Sequence, residues 1–416
     1  MRRVFIVGGK NTRYLGNRHP DFINKKHPDF GTKENPILKD YIQEAIKDTL
    51  KSTKVDGKLI DTAYIGNFAG ELFSNQGHLG AAISSADPGL KYVPASRLEG
   101  ACASGGLAVR HAFDTLRSGS ADISLVVGAE TQNTVSARQG GDFLARASDY
   151  DRQRNIDDFT FPALLAQRKK AYREKYPNVT DEDFGKVTLK AFENGNKNPL
   201  AHMHHVKTNL DKIVNSPNFL SNETLKPHVK LMECSQVSDG ASAMIVANEE
   251  GLKKLGLTPD QCTEILTIEV STGDIYSDPE DYTNMDVTAH NAKKAFKTTG
   301  LTAKDMGVAE VHDCFTIAEI LHSEALGFAN AGEGAYIDSG INGEIPINCG
   351  GGLTSFGHPV GATGVKQFVE VSNILSGTNA QEYYPEQQKT YGITSNMGGD
   401  DRTSVISIMR APTERL

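Results

Sequence analysis

Short runs of apolar residues alternate along this chain with longer segments in which apolar side chains recur every third or fourth position. The short runs have the length and composition of buried strands, and the longer segments have the period of amphipathic helices. In the first part of the chain we therefore predict strands over residues 4–7, 62–66, 123–129 and 243–247, and helices over 41–50 and 107–116.

A second series of the same kind follows. We predict strands over residues 264–271, 308–311, 392–395 and 404–409, and helices over 287–296, 316–326 and 365–375. Strands that alternate with helices are typical of α/β proteins, and a pattern that occurs twice indicates a duplicated unit. The sequence thus predicts an α/β fold with two similar halves.

A polar segment, residues 132–233, separates the two series. It is rich in charge and asparagine, and we predict long polar helices in it over 163–176 and 181–194. Insertions of this length are usually lids or binding elements. We therefore divide the chain into an N-terminal half (residues 1–131 and 234–258), an inserted loop domain (132–233) and a C-terminal half (259–416).

Composition and charge narrow the classes of function. Of the 416 residues, 38% are hydrophobic and 23% are charged, which suits a protein with buried cores. The formal net charge of −8 argues against nucleic acid or an anionic membrane as the main partner. Five scattered cysteines favour a reducing compartment. No apolar run is long enough for a membrane span. The apolar run at the start of the chain is too short for the core of a signal peptide, so we expect a cytoplasmic protein.

One cysteine stands where a predicted strand meets a predicted helix. Cys102 lies in the run Glu99-Gly100-Ala101-Cys102-Ala103-Ser104-Gly105-Gly106. Backbone N–H groups and the helix dipole at a helix N-terminus favour a thiolate, and so lower the pKa of a cysteine placed there. A thiolate attacks thioesters and carbonyl groups. Cys102 is therefore a candidate nucleophile, although a lone cysteine is more often a buried structural residue.

A glycine-rich run in the second series carries a candidate base. His358 lies in Phe356-Gly357-His358-Pro359-Val360-Gly361, just before a predicted helix. A histidine in this place can take a proton from a thiol or donate a hydrogen bond to a thioester oxygen. If the two halves are related by duplication, Cys102 and His358 occupy equivalent helix starts that could face one site.

Two further groups follow predicted strands. His312-Asp313-Cys314-Phe315 comes directly after the strand over 308–311, and strand ends of this kind form sites in α/β sheets. The thiol of Cys314 can act as a general acid or base, and His312 can help to bind an oxyanion. Asn396-Met397-Gly398-Gly399 follows the strand over 392–395, and its backbone N–H groups can form an anion-binding turn.

The run His202-Met203-His204-His205 suggests a metal site at first sight. On a helix these histidines are not four residues apart, and no acidic partner lies at a useful spacing. We therefore expect no metal in this protein.

Taken together, these motifs resemble those of thiolases. The match consists of Cys102 in its Gly-Ala-Cys-Ala-Ser-Gly-Gly setting, the His-Asp-Cys-Phe run and residues 357–364, in the expected order along nearly the whole chain. The His-Asp-Cys-Phe variant is similar to the branch that includes the thiolase domain of sterol carrier protein X and archaeal and bacterial acetyl-CoA acetyltransferases. Most thiolases carry Asn-Glu-Ala-Phe there, and a second catalytic cysteine in a Cys-x-Gly run near the C-terminus. Because Asn396-Met397-Gly398 stands in that place, the resemblance implies that Cys314 replaces this cysteine.

The resemblance also implies a fold, a reaction and partners. It implies two pseudo-symmetric α-β-α-β-α halves with a CoA-binding loop domain inserted in the first, assembled as a homodimer or homotetramer. Coenzyme A would be a substrate, no cofactor would be needed, and Ser235 matches the serine that contacts the pantetheine of CoA. The reaction would be the cleavage of a 3-oxoacyl-CoA by CoA, or the reverse Claisen condensation, through an acyl group on Cys102.

The resemblance implies a role for each site residue. His358 deprotonates Cys102, and Cys314 protonates the acetyl-CoA carbanion. His358 and a water held by His312 bind the enolate oxygen. The backbone N–H groups of Cys102 and Gly398 form the oxyanion hole of the acyl-enzyme step.

Two other functions stay open at this point. A decarboxylating 3-oxoacyl synthase uses one cysteine and two histidines, and Cys102, His312 and His358 occur in that order. Such an enzyme needs no second acid or base, so Cys314 favours a thiolase. The other is a partner-dependent thiolase-like protein, since some members of this branch work with small zinc-ribbon proteins.

Overall fold

Strands and helices alternate as the apolar pattern predicts. The computed structural model describes residues 1–378 and 381–414. Its strands are β1 (Val4–Asn11), β2 (Thr62–Gly66), β3 (Ala95–Leu98), β4 (Ile123–Glu130), β5 (Gly240–Asn248), β6 (Thr263–Thr272), β7 (Val308–Val311), β8 (Tyr391–Gly398) and β9 (Thr403–Arg410). Every predicted strand is confirmed, and several extend beyond their predicted bounds.

The α-helices also include every predicted one. They are α1 (Leu38–Thr53), α2 (Gly70–Phe73), α3 (Leu79–Ala82), α4 (Ser104–Ser118), α5 (Ala137–Leu144), α6 (Tyr150–Gln153), α7 (Thr160–Lys175), α8 (Asp181–Gly195), α9 (Leu210–Val214), α10 (Glu249–Lys254), α11 (Asp286–Thr299), α12 (Thr316–Ala325) and α13 (Thr363–Ser376). Across the described residues, we find no helix with both the length and the apolar character that a bilayer span requires.

The pairing of the strands repeats, which confirms the two similar halves. The strand order is β3-β2-β4-β5-β1-β6-β9-β8-β7. In the first half β1 and β5 are antiparallel, as are β5 and β4, whereas β4, β2 and β3 are parallel. The second half repeats this scheme with β6, β9, β8 and β7, and Ile347 pairs in parallel with Ala309 where β3 would stand. The halves join where β1 pairs with the first residues of β6.

The two halves together build five layers. Helices α4 and α13 lie in the middle, in one apolar cluster with side chains from both halves of the sheet, such as Val126 and Val405. Helix α1 covers the outer face of the first half, and α11 covers that of the second. The two middle helices occupy equivalent positions in their halves, as the sequence suggested.

The middle helices approach each other closely at their N-terminal ends. A methyl group at Gly105 would lie 2.8 Å from the Gly361 carbonyl oxygen and 2.9 Å from the Val365 nitrogen. Only glycine fits at such a contact. The short approach brings the residues that precede α4 and α13, Cys102 and His358, to one place.

The polar segment that we predict as an insertion lies between β4 and β5. At the matching place in the second half, a short turn joins β8 to β9. Although it leaves the first half, the segment packs on the second, because α7 and α8 share an apolar cluster with α12 and Leu353. Arg168 of α7 is fully buried and pairs with Asp400 of the β8–β9 turn at 2.5 Å. The insertion is thus fixed against the loops that follow β7 and β8.

Candidate active site

Cys102 sits in a strained turn between β3 and α4. The chain forms a single 3₁₀ turn over Ala101–Ala103 before α4 begins. Ala101 has a positive φ of 52°, and its N–H donates to the Glu99 carboxylate at 2.6 Å. A left-handed conformation costs a non-glycine residue about 1–2 kcal/mol, and such strain is common at functional sites. The turn presents Cys102 at the start of the helix.

The structure brings Cys102 together with both predicted histidines. The Cys102 sulfur, one ring nitrogen of His312 and one of His358 all lie within 4.8 Å of one another. The two imidazole rings are edge to face, with centroids 5.0 Å apart. Cys314 lies two residues after His312 in the loop that follows β7, and the charge of a Cys102 thiolate adds to burial in raising the pKa of Cys314.

The hydrogen bonds of His358 make it a base. Its Nδ1 lies 2.6 Å from the Thr363 hydroxyl, which itself donates to the Pro359 carbonyl oxygen at 3.3 Å. The hydroxyl has one proton, so it accepts the Nδ1–H of His358. The proton of the neutral ring is therefore on Nδ1, and the lone pair on Nε2 is free to accept a proton.

The backbone of His358 is held on both sides. Its carbonyl oxygen accepts from the Gln132 side chain at 2.8 Å, and its N–H donates to the Ser238 hydroxyl at 3.2 Å. Glu130, at the end of β4, is fully buried and accepts the N–H of Phe68 at 2.8 Å and that of Gly361 at 3.2 Å. The end of β4 in the first half thus fixes the His358 loop of the second half.

The hydrogen bonds of His312 make it a donor. Its Nδ1 lies 3.2 Å from the Asn396 side-chain nitrogen, which also donates to the Cys102 carbonyl oxygen at 3.0 Å. An amide nitrogen can only donate, so Nδ1 accepts and the ring proton is on Nε2. That Nε2 is buried and has no partner among the described residues. It is an unused donor beside Cys102 and His358.

The four reactive side chains are neutral in the resting site. Burial raises the pKa of Cys102 to about 12. The Gly399 N–H, which donates to the sulfur, acts in the opposite direction and lowers this pKa. Burial also raises the pKa of Cys314 and lowers that of His358 to about 3. The pKa of His312 falls for the same reason, helped by His358. The lowered pKa that the helix N-terminus predicts for Cys102 is therefore wrong, because loss of hydration outweighs the backbone N–H donors that favour the thiolate.

This protonation state predicts how Cys102 responds to pH. We expect its alkylation by iodoacetamide to accelerate roughly tenfold per pH unit between about pH 7 and 10, since the thiolate is a growing minor species throughout that range. The rate is measured by mass spectrometry of the Cys102 peptide. Cys102→Ser supplies the background from the other cysteines. A plateau reached near neutral pH would mean a preformed thiolate and contradict the expectation.

The two remaining predicted residues lie at the edge of this cluster. The Ser235 N–H donates to the Cys314 carbonyl oxygen at 2.8 Å, which puts this half-buried serine beside the backbone of Cys314. Gly398 ends β8, and a methyl group there would lie 3.1 Å from the Ala103 side chain. The N–H that reaches the Cys102 sulfur belongs to the next residue, Gly399.

His202 has a structural role at the base of the His358 loop. Its Nδ1 lies 2.8 Å from the Ser238 hydroxyl, and its Nε2 lies 2.9 Å from the Asn17 carbonyl oxygen. Because both ring nitrogens already have partners, His202 has no lone pair to offer a metal.

Three residues of the site were missed as functional groups by the sequence reasoning. Thr363 is five residues after His358 and shares its glycine-rich run, which is a weak signal that could have been used. Asn396 was noted as the first residue of a possible anion-binding turn and as the place of a missing cysteine, but no role was given to its side chain. Glu130 gave no signal, because its contact with Gly361 joins residues that are far apart in the chain.

Two family models match the chain. "Thiolase, N-terminal domain" matches residues 29–250, and "Thiolase C-terminal domain-like" matches residues 269–411. An acetyl-CoA acetyltransferase from Methanothermobacter thermautotrophicus is 33% identical over 375 residues, which cover 89% of this chain and 94% of that protein. The chain belongs to the thiolase family. This thiolase is accordingly an acyltransferase, as the sequence predicts.

Further similarities agree with the predicted branch and fold. Human sterol carrier protein 2 is 28% identical over 86% of this thiolase and 66% of its own length. Among solved structures, an Ltp2–ChsH2(DUF35) aldolase has a TM-score of 0.77 at 19% identity, covering 99% of this chain and 98% of that one. Human mitochondrial 3-ketoacyl-CoA thiolase in complex with CoA has a TM-score of 0.73 at 18% identity, with the same coverage. The predicted thiolase fold is confirmed.

Proposed function

We propose that this thiolase cleaves 3-oxoacyl-CoA thioesters with CoA, or runs the reverse Claisen condensation, through an acyl group on Cys102. The observation that carries the proposal is the cluster in which the Cys102 sulfur and a ring nitrogen of each histidine lie within 4.8 Å of one another, with Cys314 two residues after His312. One thiol is the nucleophile and the other is the acid that a decarboxylating synthase has no need of. Cys314 is therefore the residue that separates the two reactions.

The first half of the reaction breaks the carbon–carbon bond. His358 Nε2 takes the thiol proton as the Cys102 sulfur attacks the 3-keto carbon of the substrate. The bond between the 2- and 3-carbons then breaks, and its electron pair leaves with the acetyl-CoA enolate. Cys314 gives its proton to that carbanion, and acetyl-CoA departs. Because the resting thiol is neutral, proton transfer to His358 accompanies the attack.

The second half transfers the acyl group. The proton that His358 took in the first half first passes to the Cys314 thiolate, so that both groups are neutral again. His358 Nε2 then takes the proton of the CoA thiol as the CoA sulfur attacks the thioester on Cys102, and gives it to the departing Cys102 sulfur. Cys102 leaves, and the acyl-CoA product carries the remaining chain. The enolate oxygen of the first half needs donors, and His312 supplies its free Nε2–H. Backbone N–H groups at Cys102 and the Gly398–Gly399 turn serve the acyl-enzyme step. Each such donor is typically worth about 10²–10³ in rate.

The inserted segment is the proposed CoA-binding domain of this thiolase. Its boundaries, 132–233, fall between β4 and β5, and it packs against the loops that carry Cys314 and Gly399. Ser235 lies where the chain returns to the first half and is placed beside Cys314, so it can contact the pantetheine arm as that arm enters the site. We also propose that the protein works as a homodimer or homotetramer.

The test is CoA-dependent cleavage of a 3-oxoacyl-CoA series, from acetoacetyl-CoA to long-chain members, by the purified protein. Cleavage with loss of the 3-oxoacyl absorbance, abolished in Cys102→Ser, is the expected result, and the profile identifies the acyl chain. Decarboxylation of malonyl-CoA with no thiolytic cleavage would make the protein a synthase instead. Cleavage that appears only after a small zinc-ribbon protein is added would make it partner-dependent.

A further inference from the structure

Cys102, His312 and His358 have the spacing of a metal site. Their three ligand atoms all lie within 4.8 Å of one another, and one thiolate with two imidazoles is a known zinc ligand set. Zinc binds the lone pair of a neutral imidazole. The other ring nitrogen of such a histidine then donates its N–H to a carboxylate, a carbonyl oxygen or a water. Whether this cluster binds zinc therefore depends on where each ring keeps its proton.

The side chain of Asn396 decides the proton position on His312. Its Oδ1 accepts the backbone N–H of Gly106 at 3.2 Å, which fixes the orientation of the amide because a backbone N–H can only donate. Its Nδ2 must therefore face the Cys102 carbonyl oxygen, at 3.0 Å, and His312 Nδ1, at 3.2 Å. With a donor against Nδ1, the neutral ring carries its proton on Nε2. This is the reverse of the arrangement that a zinc ligand needs.

We infer that Asn396 is a positioning residue that fixes the tautomer of His312. It keeps the proton of the neutral ring on Nε2. Nε2–H can then donate a hydrogen bond to the substrate oxygen, and Nε2 has no lone pair with which to bind a metal ion. The donor role rests on the proposed function, whereas the resistance to zinc does not. Thr363 imposes the opposite tautomer on His358. His358 therefore presents a lone pair on Nε2, and His312 presents an N–H there. In this chain, the asparagine that fixes the tautomer of His312 stands at the place where most thiolases carry their second catalytic cysteine.

The decisive variant is Asn396→Asp. Its carboxylate still accepts the Gly106 N–H, and its second oxygen accepts an N–H from His312 Nδ1. The lone pair then moves to Nε2, and the cluster gains the carboxylate-backed histidine that zinc sites use. We expect zinc affinity to rise about 10–100-fold over the wild type. It is measured by titration against a chromophoric chelator near neutral pH, with the metal content of the desalted protein as a second readout.

The matched control is Asn396→Asp combined with His312→Gln, which keeps the new carboxylate and removes the ligand. Its zinc affinity should return to the wild-type level. Equal zinc affinity in the wild type and Asn396→Asp, or zinc binding retained in the double variant, would overturn the inference. These titrations need no turnover, so a protein that cleaves no 3-oxoacyl-CoA still gives a clear answer.

A second measurement is made on the wild-type protein, and a variant serves only to assign its signal. In ¹⁵N-histidine-labelled protein, two-bond correlation spectra distinguish a protonated ring nitrogen from an unprotonated one. We expect His312, assigned from the signal missing in His312→Gln, to be protonated at Nε2. Protonation at Nδ1 would overturn the inference.

Discussion

Replacing Cys314 by alanine leaves acylation of Cys102 by acetyl-CoA intact but slows formation of acetoacetyl-CoA about 10²–10⁴-fold, which is the range for loss of a general acid or base. Acylation needs only the nucleophile, His358 and the oxyanion donors. Condensation also needs a group that removes the α-proton, and Cys314 is the second thiol beside Cys102. The two steps are followed separately, by mass spectrometry of the acyl-enzyme and by absorbance of the product.

Cys262→Ala is the matched control for this prediction. Cys262 is also buried, in the apolar cluster between α1 and the outer face of the first half. Its loss removes a buried thiol without touching the site, so both steps should keep their rates. If Cys314→Ala slowed acylation and condensation to the same extent, Cys314 would be a structural residue of the site and no longer its acid.

The sequence predicted the position of the site because short-range patterns determine it. Apolar runs located the strands, and glycine-rich runs located the starts of α4 and α13. The equivalence of Cys102 and His358 followed from the similarity of those runs. It holds because small residues such as Gly105 are required where the two helices meet. The roles of individual atoms were not accessible in this way.

Two features of the site depend on contacts between distant residues. The tautomer of His312, which follows β7, is set by Asn396 of β8, and the His358 loop is held by Glu130 of the other half. Motif reasoning considers neighbours in the chain and so misses both. It also assigned Cys102 a lowered pKa from its helix, whereas loss of hydration in the folded site raises that pKa.

The neutral resting site fits the order of the proposed steps. A buried thiolate would need a nearby cation, and burial keeps both site histidines uncharged. The carboxylate of Glu130 lies close enough to raise the pKa of Cys102 further, while it holds the Gly361 N–H. Glu130 thus affects both the position of His358, through its loop, and the protonation of Cys102. We expect the thiol to lose its proton only when a substrate carbonyl is within reach.

The second large effect is on stability, and it concerns a buried ion pair behind the site. The Lys366 ammonium on α13 and the Glu310 carboxylate on β7 are 2.6 Å apart, with side chains only 1% and 0% exposed. Lys366→Met removes the cation and leaves a carboxylate unpaired in the core. We expect the free energy of unfolding to fall by about 3–5 kcal/mol, the usual cost of breaking a buried pair. Urea unfolding monitored by circular dichroism measures it.

The pH dependence and a double variant separate this explanation from simple loss of packing. Burial already raises the pKa of Glu310, and Lys366 opposes that shift, so its pKa rises further in Lys366→Met. A carboxyl whose folded-state pKa is raised stabilises the fold below its unfolded pKa and loses that contribution as pH rises through the folded value. The variant should therefore lose more stability at about pH 8 than at about pH 5. Adding Glu310→Gln to Lys366→Met removes the unpaired charge and should restore most of the lost free energy of unfolding. An equal loss of this free energy in the single and the double variant would point to packing alone.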